Sequence, residues 1–375
     1  MGLFPAAALT ARPRCRILKG MEYLECGTII VAGRPIGPEH PCFIIAEAGS
    51  NHNRDLGTAL RMIDVAADAG ADAVKFQTYS AESLYSKKTP MIDYVKKGGY
   101  LKEGETIWDM IKRIEMPRDW HPELAKRCEE KGVVFLSTPF DLKAVEELES
   151  VGIAAYKIAS FEITHIPLLR AVARTRKPII LSTGMADLSD IEFALNVING
   201  EGNKATALMQ CAISYPPRYE DLNLRAMDTL RQAFAMPVGF SDHTTGITSD
   251  IAAVARGANL IEKHYTLDRN MPGPDHSFAL EPDELLMMCK AIRDTEKALG
   301  SPVKKHTEAE KDLYKLARRS LVAAVDIPAG TPITEEMLDV KRPGYGIPAK
   351  HMLLVVGRIP KKNIEADDIL TWDLF

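Results

Sequence analysis

Residues 42–78 read CFIIAEAGSNHNRDLGTALRMIDVAADAGADAVKFQT, and the division of that stretch decides the fold. Cys42 to Glu47 and Ala73 to Thr78 are short apolar runs rich in β-branched residues. Between them, Asp55 to Ala69 repeats apolar residues at helical spacing, with Leu56, Leu60, Ile63, Ala66 and Ala67 on one face. Strand, helix and strand in that order make a β-α unit of a parallel sheet.

The same alternation continues outward. Further strands are expected at Val133 to Thr138, Ala154 to Ala159, Ile179 to Ser182, Ala205 to Ala212, Pro237 to Ser241 and Asn259 to His264, which brings the total to eight. Helices fall between them, among them Leu142 to Ser150 with Val145 and Leu148 inward. Eight β-α repeats over about 260 residues match a closed (β/α)8 barrel; an open doubly wound sheet would have five or six strands and a Gly-rich first turn, and no G-x-G-x-x-G follows the first strand. The insertion Ser80 to Asp119, with Tyr94, Gly98, Gly99 and Trp108, follows the second strand on the side where barrels build their sites, and reads as a lid. After a helix at Pro282 to Leu299 the chain turns polar and lysine-rich and then breaks into short strands and turns. The expected organisation is an extension with lead-in strands over 1–40, the barrel over 41–300, a linker over 301–312 and a small module over 313–375 with a strand at Ser320 to Val325 and a helical Glu335 to Leu338.

Composition bounds the function. The chain has 375 residues, 46% hydrophobic and 26% charged, enough for a buried core, and a net charge of -4 leaves no positive field for a nucleic-acid backbone. No apolar run approaches the roughly 20 residues of a membrane span. Cys15, Cys26, Cys42, Cys128, Cys211 and Cys289 are scattered without a C-x-x-C pair and read as reduced thiols of a cytoplasmic protein. Residues 1–20 carry Arg12, Arg14, Arg16 and Lys19 without an acid and read as a dispensable extension.

Barrel enzymes hold their catalytic groups at the C-terminal ends of the strands, and here every strand brings something polar to that rim. Lys75 and Lys157 stand among apolar residues, where an unpaired ammonium is costly, so each needs an anion. With the hydroxyls of Thr138, Ser160, Ser182 and Ser241 they form a ring of donors for phosphate and carboxylate oxygens. Lys263 alone reads equally well as an outward side chain snorkelling between helices. His243 and His264 end adjacent strands about 5 Å apart, so both imidazoles could meet one divalent metal, with Glu47 and Asp275 either completing an oxygen and nitrogen set suited to Mn²⁺ or Mg²⁺ or orienting water around the ion. His52 and His276 are rivals on the same grounds. Two mechanisms fit: a metal and anion site that polarises a carbonyl, or a Schiff base on Lys75 or Lys157.

These residues fall into runs that resemble the sialic acid (N-acetylneuraminate) synthase family. They are Phe43 to His52, Ala69 to Gln77, Phe135 to Phe140, Tyr156 to Ser160, Leu181 to Met185, Gly239 to Thr244, Ile261 to His264 and Pro272 to Ser277, all in order. Arg318 to Val322 and Lys341 to Gly344 resemble the antifreeze-like (SAF, β-clip) domain that ends these enzymes. The resemblance implies condensation of phosphoenolpyruvate with an N-acetylated mannosamine-type sugar to a nine-carbon 2-keto sugar acid. It further implies His243 and His264 as ligands of Mn²⁺, or of Mg²⁺ or Co²⁺, and Glu47 as the group that handles protons. Lys75, Thr138, Lys157, Ser160, Ser182, Tyr215 and Ser241 match positions that cradle phosphoenolpyruvate; Gln77, Glu162 and Asp275 match positions near the sugar. Arg342 matches an arginine that reaches into the other subunit of a domain-exchanged homodimer. One departure is Cys211-Ala212-Ile213-Ser214 before Tyr215-Pro216, where relatives carry Asn or Thr-Ser, so one phosphate contact is either missing or supplied by Ser214. The resemblance also admits legionaminic and pseudaminic acid synthases, which act on 2,4-diacetamido-6-deoxy sugars, and spore-coat relatives. A non-catalytic carbohydrate- or ice-binding protein on an inert barrel would have no physical reason to converge lysines, hydroxyls and histidines on one rim.

Overall fold

The computed structural model describes residues 16–19, 22–25, 27–90 and 104–375. The sequence readings on Arg12, Arg14, Cys15 and Cys26, and on Tyr94, Gly98 and Gly99 of the insertion, lie outside the described residues. Two antiparallel pairs come first, β1 (Arg16–Lys19) with β2 (Glu22–Glu25) and β3 (Ile29–Val31) with β4 (Arg34–Ile36). Eight parallel strands follow: β5 (Phe43–Glu47), β6 (Ala73–Thr78), β7 (Val134–Pro139), β8 (Tyr156–Ile158), β9 (Ile179–Ser182), β10 (Thr206–Cys211), β11 (Val238–Asp242) and β12 (Leu260–His264). They pair in sequence order, and β12 returns to β5 to close the barrel.

Alternation along these strands separates two cores. Ile44, Val74, Phe76, Phe135, Tyr156, Leu181, Phe240 and Ile261 face outward into the layer of helices, against Met62, Ile63, Leu124, Leu148 and Leu169. Phe43, Ile45, Ala73, Val134, Leu136, Ala155, Ile180, Ala207, Met209 and Leu260 have the opposite parity and fill the barrel, together with Ile29, Val31 and Ile36 of the β3–β4 hairpin. Each large aliphatic side chain so buried contributes about 1.5–3 kcal/mol. That gain offsets what stands further along the same parity toward the strands' C-terminal ends: Glu47, Lys75, Gln77, Thr138, Lys157, Ser182, Cys211, Ser241, Glu262 and His264. Gly239 permits this arrangement, since a Cβ there would lie 2.5 Å from the Leu260 carbonyl oxygen of the neighbouring strand.

The helices begin where the strands have delivered these residues. Asp55 caps the helix Leu56–Asp68 by accepting from Thr58 N at 2.6 Å, and Asp141 caps Leu142–Ser150 by accepting from Ala144 N at 2.7 Å. The buried face of Leu56–Asp68 is Ala59, Met62, Ile63 and Ala66, whereas Leu56, Leu60 and Ala67, expected to lead that face, are only half-buried at its margin. A mean helical period fixes that a face exists; the approach of the sheet fixes its centre.

By compactness the chain divides into two units, Met1–Gly300 and Ser301–Phe375. The second contains β13 (Ser320–Ala323), antiparallel to β14 (Leu338–Lys341), around a small core that includes Leu321, Ile327, Ile333, Ile347, Val355, Ile364 and Leu370. The helix expected at Glu335 to Leu338 is a single 3₁₀ turn, Glu335–Met337, because Leu338 is drawn into the pairing with Ala323. Among the described residues, no helix is long and apolar enough to cross a membrane.

Candidate active site

The register of the strands brings the rim residues together in pairs. Glu47 sits opposite Lys75 on one side and His264 on the other, Gln77 opposite Thr138, and Ser241 between Cys211 and Glu262. They line one cavity of about 650 Å³, in which Glu47, Lys75, Gln77, Thr138, Lys157, Ser160, Glu162, Ser182, Tyr215, Ser241, His243, His264 and Asp275 all take part. Arg342 is an exposed residue of the second unit, just past β14.

Charge inside the cavity is balanced pairwise. Lys75 and Lys157 are each 3% exposed. Lys75 Nζ lies 2.8 Å from Glu47 Oε2 and donates to Thr138 Oγ1 at 3.1 Å; Lys157 Nζ donates to Glu262 Oε1 at 3.2 Å. Glu262 Oε1 also accepts from Ser241 Oγ at 3.1 Å and lies 3.8 Å from Lys75 Nζ. The anions that the two lysines require are thus supplied from within, and Glu262 is a member of the site that reading the sequence did not select. Burial pushes the Glu47 carboxyl up, and Lys75 only partly opposes this. Burial acts on Glu262 in the same sense, but there the ammonium groups of Lys157 and Lys75 outweigh it and hold the carboxyl below its ordinary range. Burial lowers the Lys157 ammonium, while Glu262 and Glu47 outweigh burial at Lys75 and raise it. Ser182 Oγ is buried without a hydrogen-bond partner, whereas Ser160 Oγ accepts from Gly184 N at 2.9 Å.

The two histidines meet as their strand positions require. Their ring centroids are 5.1 Å apart, and Tyr215 packs edge-on against His243 at 4.5 Å. Burial holds His243 down to about 4 and holds His264 well below its ordinary range, where His243 adds to the effect, so both imidazoles are neutral near pH 7. His264 Nδ1 is buried and has no hydrogen-bond partner. Neutral imidazoles with an uncommitted ring nitrogen fit a divalent ion. Among the described residues, no three His, Cys, Asp or Glu side chains gather closely enough to hold a metal. Glu47 is held by Lys75 and by Gln77 Nε2 at 2.7 Å, and Asp275 Oδ2 stands 4.0 Å from His264 Nδ1. Burial pushes the Asp275 carboxyl up to about 6.

The rivals are satisfied elsewhere. His52 Nδ1 accepts from Arg54 N at 3.0 Å with its ring against Trp120, and His276 bonds Thr266 Oγ1 at 2.7 Å and Asn53 Oδ1 at 3.2 Å. Lys263 does not snorkel. It is 1% exposed on the outward side of β12, donating to Asp242 Oδ2 at 2.5 Å and to the Thr244 carbonyl at 2.7 Å, with Asp250 Oδ2 3.6 Å away. Asp242 in turn accepts from Thr244 N at 3.0 Å. One buried ammonium therefore ties the turn that carries His243 to the strand that ends in His264. Cys211 occupies the inward position of β10, its Sγ 3.9 Å from His243 Nδ1. Ser214 lines the cavity, but its hydroxyl donates to the Pro216 carbonyl at 3.2 Å, so the departure at this strand leaves a thiol where a polar contact was expected.

The insertion contributes a wall. Its helices Ala81–Leu84 and Ile107–Ile114 pack through Ala81, Ile107, Met110 and Ile111 on Tyr79, and Leu84, Tyr85, Met110, Ile111 and Ile114 line the cavity together with Phe140. The Tyr79 hydroxyl is held by Ser50 Oγ at 2.8 Å.

Residues 62–304 match the NeuB family, and residues 318–375 match the SAF domain. The chain is 44% identical to N,N'-diacetyllegionaminic acid synthase of Campylobacter jejuni over 87% of its own length and 98% of that protein. It is 36% identical to human N-acetylneuraminate-9-phosphate synthase over 91% of this chain and 95% of that one. The crystal structure of the spore coat polysaccharide biosynthesis protein SpsE of Bacillus subtilis superposes with a TM-score of 0.64 at 39% identity, covering 93% of this chain and 99% of that one.

Proposed function

The chain belongs to the NeuB family, and on that footing we propose that it joins phosphoenolpyruvate to the aldehyde of an N-acetylated mannose-type sugar, releasing phosphate and forming a nine-carbon 2-keto sugar acid. The observation that carries this reading is the coincidence, in one cavity, of two ammonium groups only 3% exposed, a set of hydroxyls and two neutral imidazoles.

Lys75 and Lys157, with Thr138, Ser160, Ser182, Tyr215 and Ser241, supply the cationic and hydroxyl donors for phosphate and carboxylate oxygens. In the free protein Glu262 keeps Lys157 and Ser241 turned inward, so the incoming anion meets donors already oriented. Gln77, Glu162 and Asp275, which line the same cavity, would receive the sugar's hydroxyls. A divalent ion on His243 and His264, Mn²⁺ with Mg²⁺ or Co²⁺ as substitutes, would supply Lewis-acid polarisation of the aldehyde oxygen. Carbon 3 of phosphoenolpyruvate forms the new bond to the aldehyde carbon, whose oxygen takes up a proton; water adds at carbon 2 and loses one; the tetrahedral product expels phosphate by C–O cleavage. Glu47, its proton affinity raised by burial and its oxygens held by Lys75 and Gln77, is the group placed to receive and return that proton.

Arg342 completes the sugar site from the other subunit of a domain-exchanged homodimer working in the cytoplasm; Arg342→Ala should raise the sugar KM and leave phosphoenolpyruvate binding unchanged. The central test is phosphate release from phosphoenolpyruvate with Mn²⁺, with and without sugar and with EDTA. Sugar-dependent, EDTA-sensitive release is expected. Release that survives EDTA, with a lysine adduct trapped by borohydride, would replace this reading with a Schiff-base aldolase.

A further inference from the structure

Glu162 lines the cavity at the end of the 3₁₀ turn Ser160–Glu162, two residues after Ser160. A glutamate carries its carboxylate on three rotatable bonds, so a main chain fixed by the turn does not by itself fix the oxygens. His165 does. Its Nδ1 lies 2.7 Å from Glu162 Oε2, in a pair whose carboxylate side chain is 13% exposed and whose imidazole is 38% exposed. A carboxylate only accepts, so Nδ1 carries the proton of this bond. His165 is not itself among the residues lining the cavity, so it acts on a bound molecule only through Glu162.

Two ordinary reasons for a polar side chain at this position are absent. His165 stands at the cap of the helix Ile166–Arg174, yet its side chain makes no capping hydrogen bond, and Pro167 in the first turn offers no N–H. Nor does the ring hold the turn together. The main chain closes it, with His165 N donating to the Glu162 carbonyl at 2.9 Å and Glu162 N to the Ala159 carbonyl at 3.0 Å. Truncating the ring therefore spares those bonds and releases one carboxylate. Resting on the condensation reading and on the place it gives Glu162 in the sugar site, we infer that His165 is a positioning residue for the acceptor sugar. Its imidazole commits Oε2 of Glu162 and leaves Oε1 to accept from a sugar O–H or amide N–H in a fixed orientation.

The test follows phosphate release by the full chain with Mn²⁺ and saturating phosphoenolpyruvate, using the better acceptor of N-acetylmannosamine and 2,4-diacetamido-2,4,6-trideoxymannose. His165→Ala should raise the sugar KM by about 3- to 10-fold, the cost of re-ordering one freed side chain, with kcat little changed and the calorimetric Kd for phosphoenolpyruvate unchanged. His165→Phe, which restores a ring without a donor, should be as impaired as His165→Ala, whereas His165→Asn, which restores an N–H donor, should bring KM back to within about twofold of the parent. In a Glu162→Ala background, His165→Ala should add nothing. Rescue by Phe and not by Asn, an unchanged KM for His165→Ala, or additive losses in the double variant overturns the inference while leaving the condensation standing. A sugar KM unmoved by Glu162→Ala removes that carboxylate from the sugar site, and the inference with it. No release by the parent with either sugar, while phosphoenolpyruvate still binds, overturns the condensation reading itself.

Discussion

Lys157→Met removes an ammonium and keeps most of the stem's volume, so its effect isolates one charge. Lys157 Nζ is 3.2 Å from Glu262 Oε1 in a site only 3% exposed. Two costs follow and can be measured apart. A bound trianion would lose a charge-assisted hydrogen bond, about 1.5–3 kcal/mol, which is roughly a 10- to 150-fold rise in Kd. Folding would lose less than the roughly 3–5 kcal/mol of a fully broken buried pair, because Glu262 keeps Ser241 at 3.1 Å and Lys75 at 3.8 Å. Isothermal titration with phosphoenolpyruvate in the absence of sugar reads the first as a Kd free of turnover, and denaturant unfolding without ligand reads the second. Lys157→Arg should recover only part of the affinity, since a planar fork fits a pocket shaped around a point charge poorly. A Lys157→Met protein that is folded and binds phosphoenolpyruvate within threefold of the parent would refute the assignment of this lysine to the anion.

Three further outcomes follow from the same geometry. Lys263→Met should cost about 3–5 kcal/mol of stability, because Asp242 is left buried and unpaired, and Lys263→Met/Asp242→Asn should recover part of it; additive losses in the double-mutant cycle would show that the pair is not coupled. Gly49→Ala forces a side chain into φ +50 with its Cβ 2.8 Å from Asp275 Oδ2, so the sugar KM should rise by about 10-fold or more while phosphoenolpyruvate affinity holds; unchanged sugar kinetics would remove Asp275 from the sugar site. Burial holds His52, His121, His243 and His276 each down to about 4, so between that value and the roughly 6.5 of an unfolded imidazole the unfolded chain binds more protons. Stability should therefore fall as pH drops from about 6.5 toward 4, and His264, also held down, acts in the same sense; the carboxyls of Asp275, Glu47 and Asp250, all raised by burial, act oppositely but are three groups against five, and urea midpoints that stay flat from pH 7 to 5 would contradict this.

Much of the site was legible as strand-end chemistry. Lys75, Lys157, His243 and His264 stand out because a charged or ligating side chain in a β-branched run needs a reason to be there. Glu262 and Lys263 show where such reading stops. They are neighbours in one strand, both charged and both nearly inaccessible, and only the direction of the pleat sends Glu262 to Lys157 and Lys263 to Asp242. Counting in twos from Leu260 along β12, with Leu260 recognised as a barrel-filling residue, would have found Glu262. His52 and His276 could not be retired from the sequence, since their surroundings include distant residues, Trp120 against the His52 ring and Asn53 bonded to His276.

The sequence alone determined the eight β-α repeats, the change of pattern after Leu299 and the residue types gathered at one rim, because periodicity, propensity and desolvation act over a few residues at a time. The tertiary structure alone decided how the charges pair, how closely the two imidazoles meet, and that the insertion turns an apolar wall to the cavity. Those outcomes depend on barrel closure and strand register, which bring together side chains up to 217 positions apart, as with Glu47 and His264, and no local preference encodes that meeting.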